Sequence, residues 1–294
     1  MLSGSMVALV TPMDSDGAIH YPDLARLVEY HVDAGTEALV VGGTTGESAT
    51  LNRDEHVELI ERSCEIAGGR IAVIAGTGSN STEQTLALSR AVDAFPLAGL
   101  MVVTPYYNKP TQEGMYRHFS AVADAVDHPL ILYNVPSRTG VDLKPATVAR
   151  LARHANISAI KEATAELDRL ETLRDGCGER FSLLSGDDAT AAEFMLRGGH
   201  GVISVTANVA ATAMRRLCDA ARAGDRAKAE KIDATLRALH RDLFVESNPI
   251  PVKWAVQQMG LIGPGIRLPL TPLSDEYHET VLAAMAEAGV KPAR

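Results

Sequence analysis

A lysine ends the apolar run Ile157-Ser158-Ala159-Ile160-Lys161, and a tyrosine ends the run Leu130-Ile131-Leu132-Tyr133. If the two runs are neighbouring strands, the amine and the phenol share one end of a sheet. A free lysine amine has a pKa of about 10.4, and burial lowers it by up to about 3–5 units. A desolvated, neutral amine is the nucleophile that Schiff-base chemistry on a carbonyl substrate requires. A phenol with a partner for its proton can act as general acid or base. Structural readings stand beside both. Lys161 can pair with Glu162 or Glu166 and snorkel to water, and Tyr133 can be a core tyrosine with a satisfied hydroxyl.

Two further segments carry candidate binding groups. Gly42-Gly43-Thr44-Thr45-Gly46 offers close backbone approach, free N–H groups and two hydroxyls, which suits a carboxylate or phosphate. It has no lysine in the phosphate-loop position, so nucleotide binding is a poor reading, and a tight turn remains the alternative. Arg138 sits between Pro136 and Gly140, where a forked guanidinium can clamp a carboxylate or simply be solvated. Other constellations fail. Gly46-Glu47-Ser48-Ala49-Thr50 lacks the last glycine of a nucleophile elbow. Gly76-Thr77-Gly78 does not extend to a dinucleotide fingerprint, and the nine histidines show no metal-ligand spacing. Asp187 and Asp188 read as caps for the helix that follows them.

These residues need elements to hold them. Eight β-rich runs recur at intervals of roughly 20–33 residues: MVALV, EALVV, IAVIAG, LMVVTP, LILYNV, ISAIKE, FSLLSG and GVISVT. Helical periodicity separates them, as with Leu24, Leu27, Val28 and Val32, and the runs are apolar on consecutive residues. Asn52-x-x-Glu55 and Ser81-x-x-Gln84 read as capping boxes. Eight βα units predict α/β architecture closed as a (β/α)8 TIM barrel over 1–224, with chemistry at the C-terminal strand ends. The residues just past the strands are polar there: Thr11, Thr44, Thr77, Thr104, Asn134, Glu162, Asp187 and Ser204. Residues 225–294 read as a C-terminal helical region, with helices over 226–244, 251–259 and 275–288. Such an appendix is expected to serve packing or oligomer contacts.

Composition bounds the partners. Lys plus Arg number 28 against 37 Asp plus Glu, a formal charge of −9, so no nucleic-acid footprint is expected. Aromatics are 4% of the chain, too few for base-stacking platforms. The longest apolar stretch, near Leu97 to Val103, is far short of a membrane span. The opening MLSGSMVALVTPMDSDG lacks a basic region, and Cys64, Cys177 and Cys218 form no paired motif. A cytoplasmic protein with no membrane association is the expectation.

Taken together, GGTTGESATL, VIAGTGSNST, VTPYYNKPTQEGMYRHF, LYNVPSRTG, IKEAT, LLSGDDAT and GHGVISVTANV resemble the dihydrodipicolinate synthase family. ESNPIPVKWA and RLPLTPL extend the resemblance into the C-terminal helices. The lysine strand and the G-T-T-G-E loop are shared across a wider superfamily of pyruvate-dependent class I aldolases. The resemblance implies a lyase of lysine (diaminopimelate) biosynthesis, condensing pyruvate with L-aspartate 4-semialdehyde without a cofactor or metal. It implies Lys161 as the Schiff-base nucleophile and Tyr133 as the proton relay, with Thr44 and Tyr107 completing a hydroxyl chain. Tyr107 would come from the partner across a subunit interface of a homotetramer, a dimer of dimers. Thr45 would hold the pyruvate carboxylate and Arg138 that of the semialdehyde, with Gly186 and Ile203 joining the substrate-binding set.

The resemblance also implies a candidate L-lysine effector site at Ser48, Ala49, Arg53, His56, Asn80, Gln84 and Tyr106. Inhibited relatives often carry histidine at position 53 and glutamate at 84. Arg53 adds a like charge and Gln84 removes an anion, so weak or absent feedback is expected. Two rivals are another Schiff-base aldolase, acting on N-acetylneuraminate or a 2-keto-3-deoxy sugar acid, and a non-catalytic metabolite-binding barrel. Ala165 stands where relatives commonly have glycine.

Overall fold

In the computed structural model, which describes residues 1–293, each of the eight runs contributes a strand. They are β1 (Gly4–Ala8), β2 (Ala38–Val41), β3 (Ala72–Gly76), β4 (Gly99–Val103), β5 (Leu130–Asn134), β6 (Ile157–Glu162), β7 (Ser182–Ser185) and β8 (Gly201–Ser204). Neighbours follow chain order, and β8 pairs in parallel with β1 to close the barrel. β1 starts two residues before its apolar run because Gly4 and Ser5 still pair with Gly201 and Val202. It ends at Ala8 because the Val10 N–H is taken by the Asn208 side chain, at 3.1 Å.

Among the described residues the α-helices are α1 (Tyr21–Ala34), α2 (Arg53–Ala67), α3 (Thr82–Val92), α4 (Gln112–Ala123), α5 (Pro136–Thr139), α6 (Pro145–Leu151), α7 (Arg169–Cys177), α8 (Ala191–Leu196), α9 (Ala207–Arg222), α10 (Arg226–Asp242), α11 (Ile250–Gln258) and α12 (His278–Glu287). The α2 capping box forms as expected, Asn52 and Glu55 satisfying each other's backbone N–H groups. At α3 only half of the box forms. Ser81 accepts from the Gln84 N–H, whereas the Gln84 side chain accepts from the Ser79 hydroxyl at 2.9 Å.

Strand residues alternate between two apolar layers. Met6, Ala8, Val40, Ile74, Met101, Ile131, Ala159, Leu184 and Ile203 fill the barrel interior, while Val7, Leu39, Leu100, Leu132 and Ile160 face the helices. That two-sided burial is why the runs are continuously apolar. The outer layer continues through Leu236, Leu239, Val252, Val256, Val281 and Met285, so one core joins the barrel to the last three helices. Arg267 binds the Glu55 carboxylate (3.0 and 2.6 Å) and the carbonyls of Gly17 and Thr50, both at 2.8 Å. No helix among the described residues is long and apolar enough to cross a membrane.

Candidate active site

In β5 and β6 the strand register sets Tyr133 directly beside Lys161, and Asn134 beside Glu162. Because side chains alternate, the first pair points into the barrel and the second outward. The Lys161 Nζ lies 4.4 Å from the centroid of the Tyr133 ring. Outside the barrel, Glu162 accepts from Asn134 Nδ2 at 3.2 Å and the Thr164 N–H at 3.0 Å, and lies 3.4 Å from Arg169. Glu166 is 3.5 Å from the same guanidinium. Both carboxylates that could have neutralised Lys161 are thus engaged elsewhere.

The amine is buried, at 5% exposure, and has no salt bridge among the described residues. Burial pushes its pKa down to about 8; the Asp188 carboxylate pulls it up and the Arg138 guanidinium pushes it further down. Asp188 does not cap the helix beginning at Ala191. Its Oδ2 reaches across to accept from the Val205 and Thr206 N–H groups, each at 2.9 Å. Asp187 takes the local duty, accepting from Thr190. Burial raises the Tyr133 pKa, while Arg138 and a hydrogen bond with the Thr44 side chain lower it.

A cavity of about 860 Å³ opens above this pair. Gly43, Thr44 and Thr45 form one wall, Arg138 the rim, and Gly186 and Asp187 the side beside the lysine. A Cβ at Gly186 would stand 2.7 Å from Ala163 Cβ and 3.0 Å from Lys161 Cε, so glycine keeps that side open. Ile203 packs in the inner apolar layer that also holds Tyr133 and is not itself on the cavity wall. Tyr107 is 89% exposed, in a left-handed conformation (φ 73°), and also lies off the wall.

The C-terminal region supplies a wall too, through Phe244, Val245, Glu246, Ser247 and Asn248. Packing or oligomer contacts are the expectation for this region, and these residues depart from it by lining the cavity. Asn248 Nδ2 donates to Thr45 Oγ1 at 3.0 Å, and its carbonyl accepts from Arg138 Nη2 at 3.2 Å. Five residues on, Lys253 makes a buried ion pair with Glu47, whose other oxygen accepts from the Arg267 N–H at 3.0 Å. Glu47 itself has a left-handed backbone, φ 59°, directly after the glycine-threonine turn.

Ser48, Ala49, Arg53, His56 and Gln84 line a second cavity of about 400 Å³ on the far side of that turn. Asn80 and Tyr106 lie off its wall; the Asn80 carbonyl accepts from Asn108 Nδ2 at 2.8 Å.

The arrangement can activate an amine, relay a proton and hold carboxylates. Its relatives are consistent with that chemistry. The dihydrodipicolinate synthetase family model matches residues 1–288. A 4-hydroxy-tetrahydrodipicolinate synthase of Methylococcus capsulatus is 60% identical over 290 residues, spanning 99% of this chain and 100% of the relative. The chloride-inhibited dihydrodipicolinate synthase from Acinetobacter baumannii, solved in complex with pyruvate, has a TM-score of 0.97 at 49% identity, covering 99% of this chain and 100% of that one. A DHDPS from Cyanidioschyzon merolae, solved with lysine bound, has a TM-score of 0.94 at 37% identity, covering 98% of each chain. The chain belongs to the dihydrodipicolinate synthetase family.

Proposed function

We propose that this chain condenses pyruvate with L-aspartate 4-semialdehyde, as a class I aldolase, to give 4-hydroxy-tetrahydrodipicolinate. One observation carries the reading: a buried amine with no carboxylate partner among the described residues, beside a tyrosine, under a cavity equipped for anions. Lys161, held near pKa 8, is neutral in a useful fraction at physiological pH and attacks the pyruvate ketone. Loss of water gives an iminium, an electron sink that lets the methyl group lose a proton to form the enamine. Tyr133, hydrogen-bonded with Thr44, moves the protons. The enamine carbon attacks the aldehyde. The semialdehyde amine then displaces Lys161 by transimination, which closes the ring.

Thr45 binds the pyruvate carboxylate and Arg138 that of the semialdehyde, giving local positive charge in a chain of net charge −9. Tyr107 serves a neighbouring subunit of a homotetramer, a reading supported by its 89% exposure on its own chain. The second cavity is the candidate lysine site. There Arg53 repels the ligand's ammonium and Gln84 gives no anion to pair with it, so L-lysine inhibits weakly.

Borohydride reduction after incubation with pyruvate tests the core of the reading. One reduced pyruvate on Lys161, with consumption of the semialdehyde, is expected. No adduct on folded protein would overturn it in favour of a metabolite-binding barrel. An adduct without semialdehyde turnover, but with cleavage of a sugar acid, would move the substrate class instead.

A further inference from the structure

We infer that Asn248 is a positioning residue that turns the Thr45 hydroxyl towards the carboxylate of the first substrate. This rests on the reading above that Thr45 holds that carboxylate. Asn248 lies between α10 and α11, 203 positions from Thr45 in the chain, yet it is buried on the cavity wall. A hydroxyl has one proton and two lone pairs. With Nδ2 donating to Oγ1 at 3.0 Å, one lone pair is taken and the Thr45 proton cannot point at the amide. It is left for an acceptor in the cavity, which is what a carboxylate supplies.

The opposite orientation of the amide would set an acceptor against Thr45. The hydroxyl would then donate to Asn248 and have no proton for the substrate. The orientation in the structure leaves Asn248 Oδ1 buried without a partner among the described residues. The same residue's carbonyl holds Arg138 Nη2 at 3.2 Å. One residue of the C-terminal region therefore sets the donor direction at one carboxylate site and tethers the guanidinium of the other. Any side chain can supply the carbonyl, but only an amide of this length supplies the donor to Thr45 without adding charge.

A double-mutant cycle on the full chain tests the inference, read as the pyruvate concentration giving half-maximal borohydride trapping. Asn248→Ala frees the Thr45 rotor and is expected to raise that concentration about tenfold, the scale of one hydrogen bond. Its semialdehyde KM should be unchanged, because the main-chain contact to Arg138 survives. Asn248→Asp, close in shape, replaces the donor by an acceptor and is expected to weaken pyruvate by more than the alanine does. In a Thr45→Val background both replacements at 248 should lose their effect.

An Asn248→Ala change that weakens pyruvate equally with and without Thr45 overturns the inference and leaves the Thr45 reading intact. So does Asn248→Asp binding pyruvate as the parent does. A Thr45→Val protein with unchanged pyruvate affinity overturns both.

Discussion

The amine that performs the chemistry should also make the folded protein less stable, and replacing it should show by how much. Lys161 is driven by burial from the ordinary lysine value of 10.5 to about 8. Each unit corresponds to about 1.4 kcal/mol, so carrying a protonated lysine at this site costs the fold about 3 kcal/mol at neutral pH. The sign follows from which state binds the proton more tightly. The folded pKa lies below the unfolded one, so the penalty is complete below about pH 8 and fades as pH rises towards 10.5. Lys161→Met keeps the length of the stem and removes the titrating group. Unfolding entropy of about 2.1 cal/mol/K per residue, over 294 residues, gives about 0.6 kcal/mol per degree. The variant should therefore melt about 5 °C above the parent at pH 7, with no pyruvate adduct and no turnover. At pH 10 the advantage should shrink to about 1 kcal/mol. Differential scanning calorimetry of both proteins at the two pH values checks this, since every other titrating group is common to both. A variant no more stable than its parent at pH 7, or a margin that does not narrow by pH 10, would refute the account of a desolvated amine.

Stopped-flow imine formation should rise with pH to a plateau above about pH 8. Asp188→Asn should move that inflection down, because the carboxylate holds the Lys161 pKa up, and Arg138→Met should move it up. Tyr133→Phe should retain borohydride trapping but lose about 10²–10⁴-fold in turnover, as removal of a proton relay does; full turnover would exclude Tyr133 from that role. Lys253→Met should destabilise the chain by about 3–5 kcal/mol in urea titrations, because Glu47 is left charged and buried. Adding Glu47→Gln to that variant should recover much of the loss.

The fold was legible because its signal is local. Each apolar run folds as a strand buried on both sides, and eight such runs close one barrel whatever lies between them. Strand ends were legible for the same reason: Lys161 and Tyr133 meet because β5 and β6 are consecutive and in register. The duty of Asp188 was not legible, because its acceptors' partners lie on the next strand's loop, 17 and 18 positions on. Asn248, Lys253 and Arg267 fall in the region that the sequence assigns to packing or oligomer contacts. A polar Asn between Ser247 and Pro249 was a signal of a special turn, but nothing local says that the turn caps a cavity. The Glu47–Lys253 pair spans 206 positions, and in sequence Glu47 reads only as the second residue of an incomplete nucleophile motif.

The charges around Lys161 have to serve two opposite states of the same nitrogen. Before the reaction the amine must be neutral to attack, and both burial and Arg138 favour that form. After water is lost the imine nitrogen must stay protonated, and so positively charged, to act as the electron sink, and the same burial now opposes that charge. Asp188 supplies the counter-term. Its carboxylate is fixed by two backbone N–H groups on Oδ2, so it does not collapse onto the amine and quench it, yet its field reaches the nitrogen. A carboxylate in direct contact with Lys161 would raise its pKa and cost nucleophilicity; a more distant one would leave the iminium unsupported. The Asp188→Asn protein separates these roles. It should form the imine readily at lower pH but accumulate less of it at saturating pyruvate, and a variant in which both quantities rise together would show that Asp188 only opposes the amine.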